Sequence, residues 1–176
     1  MKLIILHGPP GCGKLTIAKA LSQELGYSVM HNHLSVDLAL SVYPEFGHGD
    51  FFDFVDSLRL MSIKKACENA QKGLIVTQCF DVELDIAPFN QWLNVLSEFG
   101  GDVAPIYLDV SVPELKKRVT NESRLGTNKV QCPLMLDEVI NKYKFGPIPH
   151  PDTFIIKSEN LTVSETTQQI KHAICW

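Results

Sequence analysis

No uninterrupted apolar stretch approaches the roughly 20 residues that cross a bilayer, so no membrane-spanning helix is expected. The one early apolar run, Leu3-Ile4-Ile5-Leu6, is stopped by His7 and Gly8 and is too short for a secretory leader. The five cysteines, Cys12, Cys67, Cys79, Cys132 and Cys175, are odd in number, scattered and free of any C-x-x-C pair. That pattern excludes a disulfide framework or a cysteine zinc site and suits reduced thiols in a cytoplasm. There is no excess of positive charge. Sixteen basic residues face twenty acidic ones, for a net charge of −4 and a pI near 5.8, which excludes a broad surface for nucleic acid or anionic membrane. Arginine is scarce: Arg59, Arg118 and Arg124 are the whole set. No internal repeat or low-complexity segment is evident.

What remains is 176 residues of ordinary composition, 45% hydrophobic and 20% charged, enough for one domain with a sizeable core. Buried-strand patterns are expected at Lys2 to Leu6, Tyr27 to His31, Leu74 to Thr77, Val103 to Val110 and Phe154 to Lys157. Helical spacing is expected at Gly13 to Leu25, Leu34 to Val42, Phe51 to Gln71, Phe89 to Phe99, Glu114 to Val119 (with Pro113 in its first turn), Leu134 to Tyr143 and Ser164 to Ile174. Ser164 with Gln168 forms an approximate capping pair for the last of these, with Val163 as the staple. The stretch from Asn121 to Pro133 is polar and reads as a lid. Alternating strands and helices imply a parallel sheet covered on both faces, within a single α/β domain spanning 1–176.

The strongest local signal is Gly8-Pro9-Pro10-Gly11-Cys12-Gly13-Lys14-Leu15-Thr16, which follows an expected strand and opens an expected helix. Glycines let backbone N–H groups turn towards an anion with no Cβ in the way. The helix N-terminus adds unpaired donors and partial positive charge. Lys14 brings a full charge to the β- and γ-phosphates of a nucleotide, with ATP and magnesium the expected pair. The hydroxyl usually found directly after the lysine is displaced by one residue. Leu15 stands there, and Thr16 supplies the hydroxyl for magnesium, phosphate or water. Cys12 reads first as a small residue that fits the loop; its place near the helix N-terminus also predicts a lowered pKa and reaction with thiol reagents that bound ATP slows.

With this loop the chain resembles the P-loop kinases of the nucleoside-monophosphate kinase-like and shikimate kinase-like group. Adenylate kinases share the lysine-x-threonine spacing of Lys14-Leu15-Thr16. The resemblance implies a three-layer αβα P-loop NTPase fold with a five-stranded parallel sheet and a short lid at about 121–133. Leu115-Lys116-Lys117-Arg118 and Ser123-Arg124 fall where the group carries lid arginines, and Pro151-Asp152-Thr153-Phe154-Ile155-Ile156 resembles its last strand. The string from His31 to Leu38 is similar to a bacterial subset labelled shikimate kinase-like or general P-loop ATPases. The motifs that name a substrate are missing. The third strand ends Thr77-Gln78-Cys79-Phe80-Asp81, without the Asp-Gly-Phe-Pro-Arg of adenylate kinases or the glycine triplet of shikimate kinases.

The resemblance implies a kinase that moves the γ-phosphoryl group of Mg-ATP to a small-molecule acceptor, a nucleotide or a hydroxyl-bearing metabolite. Arg118 and Arg124, with Lys129 as a weaker candidate, would close over the donor. Arg59, on the acceptor-side helix, would grip a phosphate or carboxylate. In open α/β sheets ligands bind at the carboxyl ends of strands, where Asn32 and Asp37 are candidate acceptor contacts. Asp37 shares a helical face with His33 and is a candidate base. Asp81, after the third strand, is a candidate magnesium ligand, directly or through water, and Asp109 either serves likewise or caps the next helix. Two other readings stay open: an ATP-binding regulatory module and a simple ATPase.

Overall fold

The computed structural model describes residues 1–174, so Cys175 lies outside the described residues. The elements in order are β1 (Lys2–His7), α1 (Lys14–Leu25), β2 (Ser28–Met30), α2 (Asn32–Leu40), α3 (Phe51–Glu68), β3 (Gly73–Gln78), α4 (Ile86–Glu98), β4 (Asp102–Asp109), α5 (Val112–Val119), α6 (Pro133–Lys142), β5 (Phe154–Lys157) and α7 (Val163–Ala173). Five parallel strands lie in the order β2-β3-β1-β4-β5. The sheet with its flanking helices is the three-layer αβα arrangement of the P-loop NTPases.

β1 is central and hydrogen-bonded on both sides, so both of its faces must be apolar. Ile4 and Leu6 pack with Ile17, Leu21, Leu115, Leu136 and Ile170, the layer of α1, α5, α6 and α7. Leu3 and Ile5 pack with Ile63, Trp92 and Leu96, the layer of α3 and α4. Each such side chain contributes about 1.5–3 kcal/mol of burial. A third cluster, Val36, Ala39, Phe51 and Val55, fastens α2 to α3 beside the end of β2.

Two local expectations are corrected. α4 begins at Ile86, three residues before Phe89, because Pro88 falls within its first turn, where no backbone donor is needed. α7 is capped by Thr162, whose hydroxyl accepts from the Glu165 N–H while the Glu165 carboxylate takes the Thr162 N–H. That is a full capping box, and it replaces the Ser164–Gln168 pair. The lid segment between α5 and α6 holds one 3-10 turn, Glu122–Arg124.

β1 ends on a histidine that its neighbours keep neutral. His7 is opposite Gln78 of β3 and Tyr107 of β4 and is fully buried. Its ring lies 5.4 Å from Tyr107 and 5.8 Å from Phe80, and neither nitrogen has a protein partner. Burial, and then the charge of Lys14, lower its pKa from 6.5 to about 3. The unfolded chain therefore binds a proton that the folded chain refuses. Stability should fall as pH drops below 6.5, by about 1.4 kcal/mol per unit from this group, and level off near pH 3. Denaturant titrations of wild type and His7→Leu should diverge in that window. Parallel pH profiles would contradict the account.

Candidate functional site

The turn from β1 to α1 is shaped by glycines in left-handed backbone, Gly8 at φ 140°, Gly11 at 92° and Gly13 at 96°. A Cβ on Gly8 would stand 3.0 Å from the Leu108 carbonyl oxygen and 3.1 Å from Cys12 Sγ, and one on Gly11 would stand 3.1 Å from Val119 Cγ1. The loop is pressed against β4 and α5, with no room for side chains at those positions. Gly13 caps α1 without a side-chain acceptor, and no acidic residue occupies the first turn. The helix start keeps its donors and its partial positive charge. Pro9, Pro10 and Leu15 complete the curve, and Thr16 is exposed on the first turn. This donor set fits a polyphosphate.

Lys14 is half-buried and folds back over the loop, donating from Nζ to the carbonyl oxygens of Gly8 at 2.7 Å and Pro9 at 2.8 Å, with Cys12 Sγ at 3.6 Å. Burial works against its charge, but the sulfurs of Cys12 and Cys79 outweigh that and raise its pKa. Cys79, just beyond β3, therefore belongs to this site. Arg124 completes the group. Its Nε donates to the Val130 carbonyl at 2.7 Å, burial lowers its pKa, and Cys79 and Cys12 are the groups that support its charge. Both cations thus lie within electrostatic reach of Cys12 and Cys79.

Arg118 does not join them. Its Nε donates to Glu114 Oε1 at 2.8 Å and its NH2 to the Glu159 carbonyl at 3.0 Å, which ties α5 to the turn after β5. Arg118 and Arg124, expected to act together, are therefore held apart here, Arg118 between α5 and the turn after β5 and Arg124 within the lid segment. Asp81 is not free for a metal either. Oδ1 accepts from the N–H groups of Glu83 and Leu84, and Oδ2 from that of Lys144. Burial pushes its pKa up, but these three donors outweigh it and hold the group below the usual carboxylate range. Asp81 pins the segment after α6 to the end of β3, where it also forms an isolated bridge with Phe145. Among the described residues no group of three or more metal-ligating side chains converges. Magnesium would rest on phosphate oxygens and Thr16. Asp109 ends β4, and its carbonyl receives the Ser158 N–H.

Beyond the end of β2, Asn32 opens α2, and its N–H donates to Thr77 Oγ1 at 3.1 Å. Arg59, 8% exposed, donates from NH2 to Asn32 Oδ1 at 2.7 Å and from NH1 to Asp56 Oδ1 at 2.8 Å. The structure thus brings Asn32 and Arg59 together, and adds Asp56. Asp37 stands one turn into α2, 3.8 Å from His33 Nδ1 as the four-residue spacing requires, and accepts from Asn128 Nδ2 of the lid at 3.1 Å. Burial lowers the pKa of His31 and His33, and Lys129 opposes their charge further. The lid therefore rests on α2 through Asn128, with Lys129 beside the two histidines.

The AAA domain family matches residues 4–132, which takes in the phosphate loop, the end of β2 and the lid. The chain belongs to that family. Solved structures with the same fold include a protein from Chloroflexus aurantiacus J-10-fl provisionally described as a kinase (17% identity, 98% of each chain covered, TM-score 0.73). A gluconokinase from Sinorhizobium meliloti 1021 also matches this AAA-domain chain (13% identity, 98% of this chain and 90% of that one, TM-score 0.62). So does a shikimate kinase from Acinetobacter baumannii in complex with shikimate (17% identity, 98% and 92%, TM-score 0.62). At these identities the likeness is one of fold, the fold of P-loop kinases. No curated protein matches in sequence.

Sequence reasoning about this AAA-domain protein missed His7, Asp56, Cys79 and Asn128. Only Asp56 left a signal, its three-residue spacing from Arg59 on α3. Cys12 is the small packed residue that the loop's sequence suggests, but the expected lowering of its pKa is corrected. It is 2% exposed and packed into the α1-side core, and burial raises its pKa against the pull of Lys14. Under a short pulse of iodoacetamide, native Cys12 should stay unlabelled while half-exposed Cys132 reacts. Cys12 should label only after denaturation. Fast labelling of native Cys12, read by peptide mass spectrometry, would contradict this burial.

Proposed function

We propose that this protein is a kinase that transfers the γ-phosphoryl group of Mg-ATP to a small-molecule acceptor. The observation that carries the reading is a glycine-shaped loop at the carboxyl edge of one parallel sheet, with Lys14 folded over it and Arg124 within electrostatic reach of the same cysteines. The loop from Gly8 to Thr16 would hold the triphosphate by its backbone N–H groups. Lys14 would exchange the carbonyls of Gly8 and Pro9 for β- and γ-phosphate oxygens. Magnesium supplies further charge neutralisation when bound.

In the transfer, the acceptor oxygen forms a bond to the γ-phosphorus as the bond to the β–γ bridging oxygen breaks. ADP leaves with the electron pair. The acceptor's proton passes to a base, for which Asp37 is the candidate. The protein's contribution is positioning and charge neutralisation, and an arginine in the role assigned to Arg124 is worth about 10³-fold or more in rate. Among the described residues no helix is long and apolar enough to cross a membrane. That and the unpaired thiols fit a cytoplasmic enzyme working as a single domain.

The test is ADP release from Mg-ATP across a panel of acceptors. Lys14→Ala should reduce any acceptor-stimulated release by at least about 10²-fold. Unchanged turnover in that variant would overturn the donor site. Tight ATP binding with no stimulation by any acceptor would favour a nucleotide-binding regulatory module instead, and steady release indifferent to acceptors a simple ATPase.

A further inference from the structure

The acceptor wall carries a charge balance that narrows the substrate. Its one arginine, Arg59, is buried, and each terminal nitrogen of its guanidinium is already engaged, by Asp56 and by Asn32. Around that pair the wall is acidic. Asp85, at the start of α4, accepts the Asp81 N–H at 2.8 Å and lies within the electrostatic reach of Asp56, Arg59 and Asp81. Lys144, the other cation near Asp81, is paired with Glu83 Oε1 at 2.6 Å. Burial raises the pKa of Asp56 and of Asp85, so negative charge is already costly here.

Two further polar groups on this face of the sheet have atoms without a protein partner. Residues 74 and 76 of β3 face the α3–α4 layer, and strand alternation sends Gln78 to the same side. Gln78 is 2% exposed, and its Oε1 has no partner. His7, beside it in register, is on that face as well, and its two nitrogens are equally unpaired. A bound carboxylate or phosphate would bring only acceptors to this wall. Arg59 keeps N–H groups to spare, but Asp56 at 2.8 Å already balances its charge, so a bound anion would add negative charge beside Asp56 and Asp85 that Arg59 does not offset. A hydroxyl or ammonium group brings donors and meets no such conflict.

We propose that the acceptor is an uncharged or cationic hydroxyl-bearing molecule, and that Asp56 sets this choice by neutralising Arg59. The inference rests on the kinase reading for the word acceptor, but the charge preference of the wall is measurable without turnover. Shikimate and gluconate serve as carboxylate probes, titrated by calorimetry with Mg-ADP present to fill the phosphate loop. Wild type should bind neither below about 1 mM. Asp56→Asn frees Arg59 and should tighten binding of at least one of them about tenfold or more. Asp85→Asn lightens the same wall while leaving Arg59 paired and should give a smaller gain.

Sub-millimolar binding of either probe by wild type would overturn the inference, and so would an Asp56→Asn protein, folded by circular dichroism, that gains no affinity. If that variant does not fold, the wild-type titration and Asp85→Asn decide, and no gain from Asp85→Asn counts against the proposal. A protein that proved not to be a kinase would fail the ADP-release assay, whereas these titrations would still report the wall's preference.

Discussion

The contact on which the rest depends is the close approach of the β1–α1 turn to β4 and α5. Gly8 lies so near the Leu108 carbonyl, and Gly11 so near Val119, that neither position accommodates a side chain. That approach fixes the turn, and the turn fixes three further things. It aims the uncapped start of α1 at the carboxyl edge of the sheet. It folds Lys14 over the carbonyls of Gly8 and Pro9. It seals Cys12 inward, so that a residue with a reactive-looking address becomes part of the core. A phosphate cradle of this kind is a consequence of packing: side chains are excluded from the inside of the turn, and backbone donors are what remain there.

The elements flanking this turn give the site its two halves. β3 ends beside β1 and brings Cys79 to Lys14, and Arg124 of the lid lies within electrostatic reach of the same sulfurs. α2 and α3, joined by the Val36–Phe51 cluster, form the other half, where Asn32, Asp56 and Arg59 are bonded to one another. The bond from Asn128 to Asp37 links lid to acceptor side across 91 residues of chain. Donor-side positive charge and an acceptor wall that is internally neutralised and then acidic make a division of labour. In the proposed reading phosphate belongs with Lys14 and Arg124, and the wall selects against a second anion.

The architecture was legible because it is written in local pattern. The apolar run before Gly8, the helical spacing from Leu15 to Leu25 and the strand at Phe154–Lys157 depend on burial period and on glycine or proline punctuation, which the chain carries on its face. The phosphate loop was legible for the same reason. Partner choice was not. Arg59 looked like an anion grip until α2 placed Asn32 against it and Asp56 shared its face. Asp81 looked like a metal ligand until the segment at Lys144 supplied a backbone donor from 63 residues away. Arg118, next to the lid in sequence, turns to Glu159 after β5. Such assignments are decided by contacts between distant segments, and residue type and spacing do not encode them. Helix starts fell between these extremes: Pro88 moved α4 by a few residues, and Thr162 displaced the expected cap by two.

The central claim is that the Gly8–Thr16 loop recognises the distal phosphates of a nucleotide. Calorimetric titration of the wild-type protein with the magnesium complexes of ATP and ADP, and with AMP, tests it most directly. The account predicts binding of ATP and ADP and weakening by at least about tenfold for AMP, which leaves the cradle and Lys14 without their phosphates. Equal affinity for all three nucleotides would place recognition outside the loop and contradict the account.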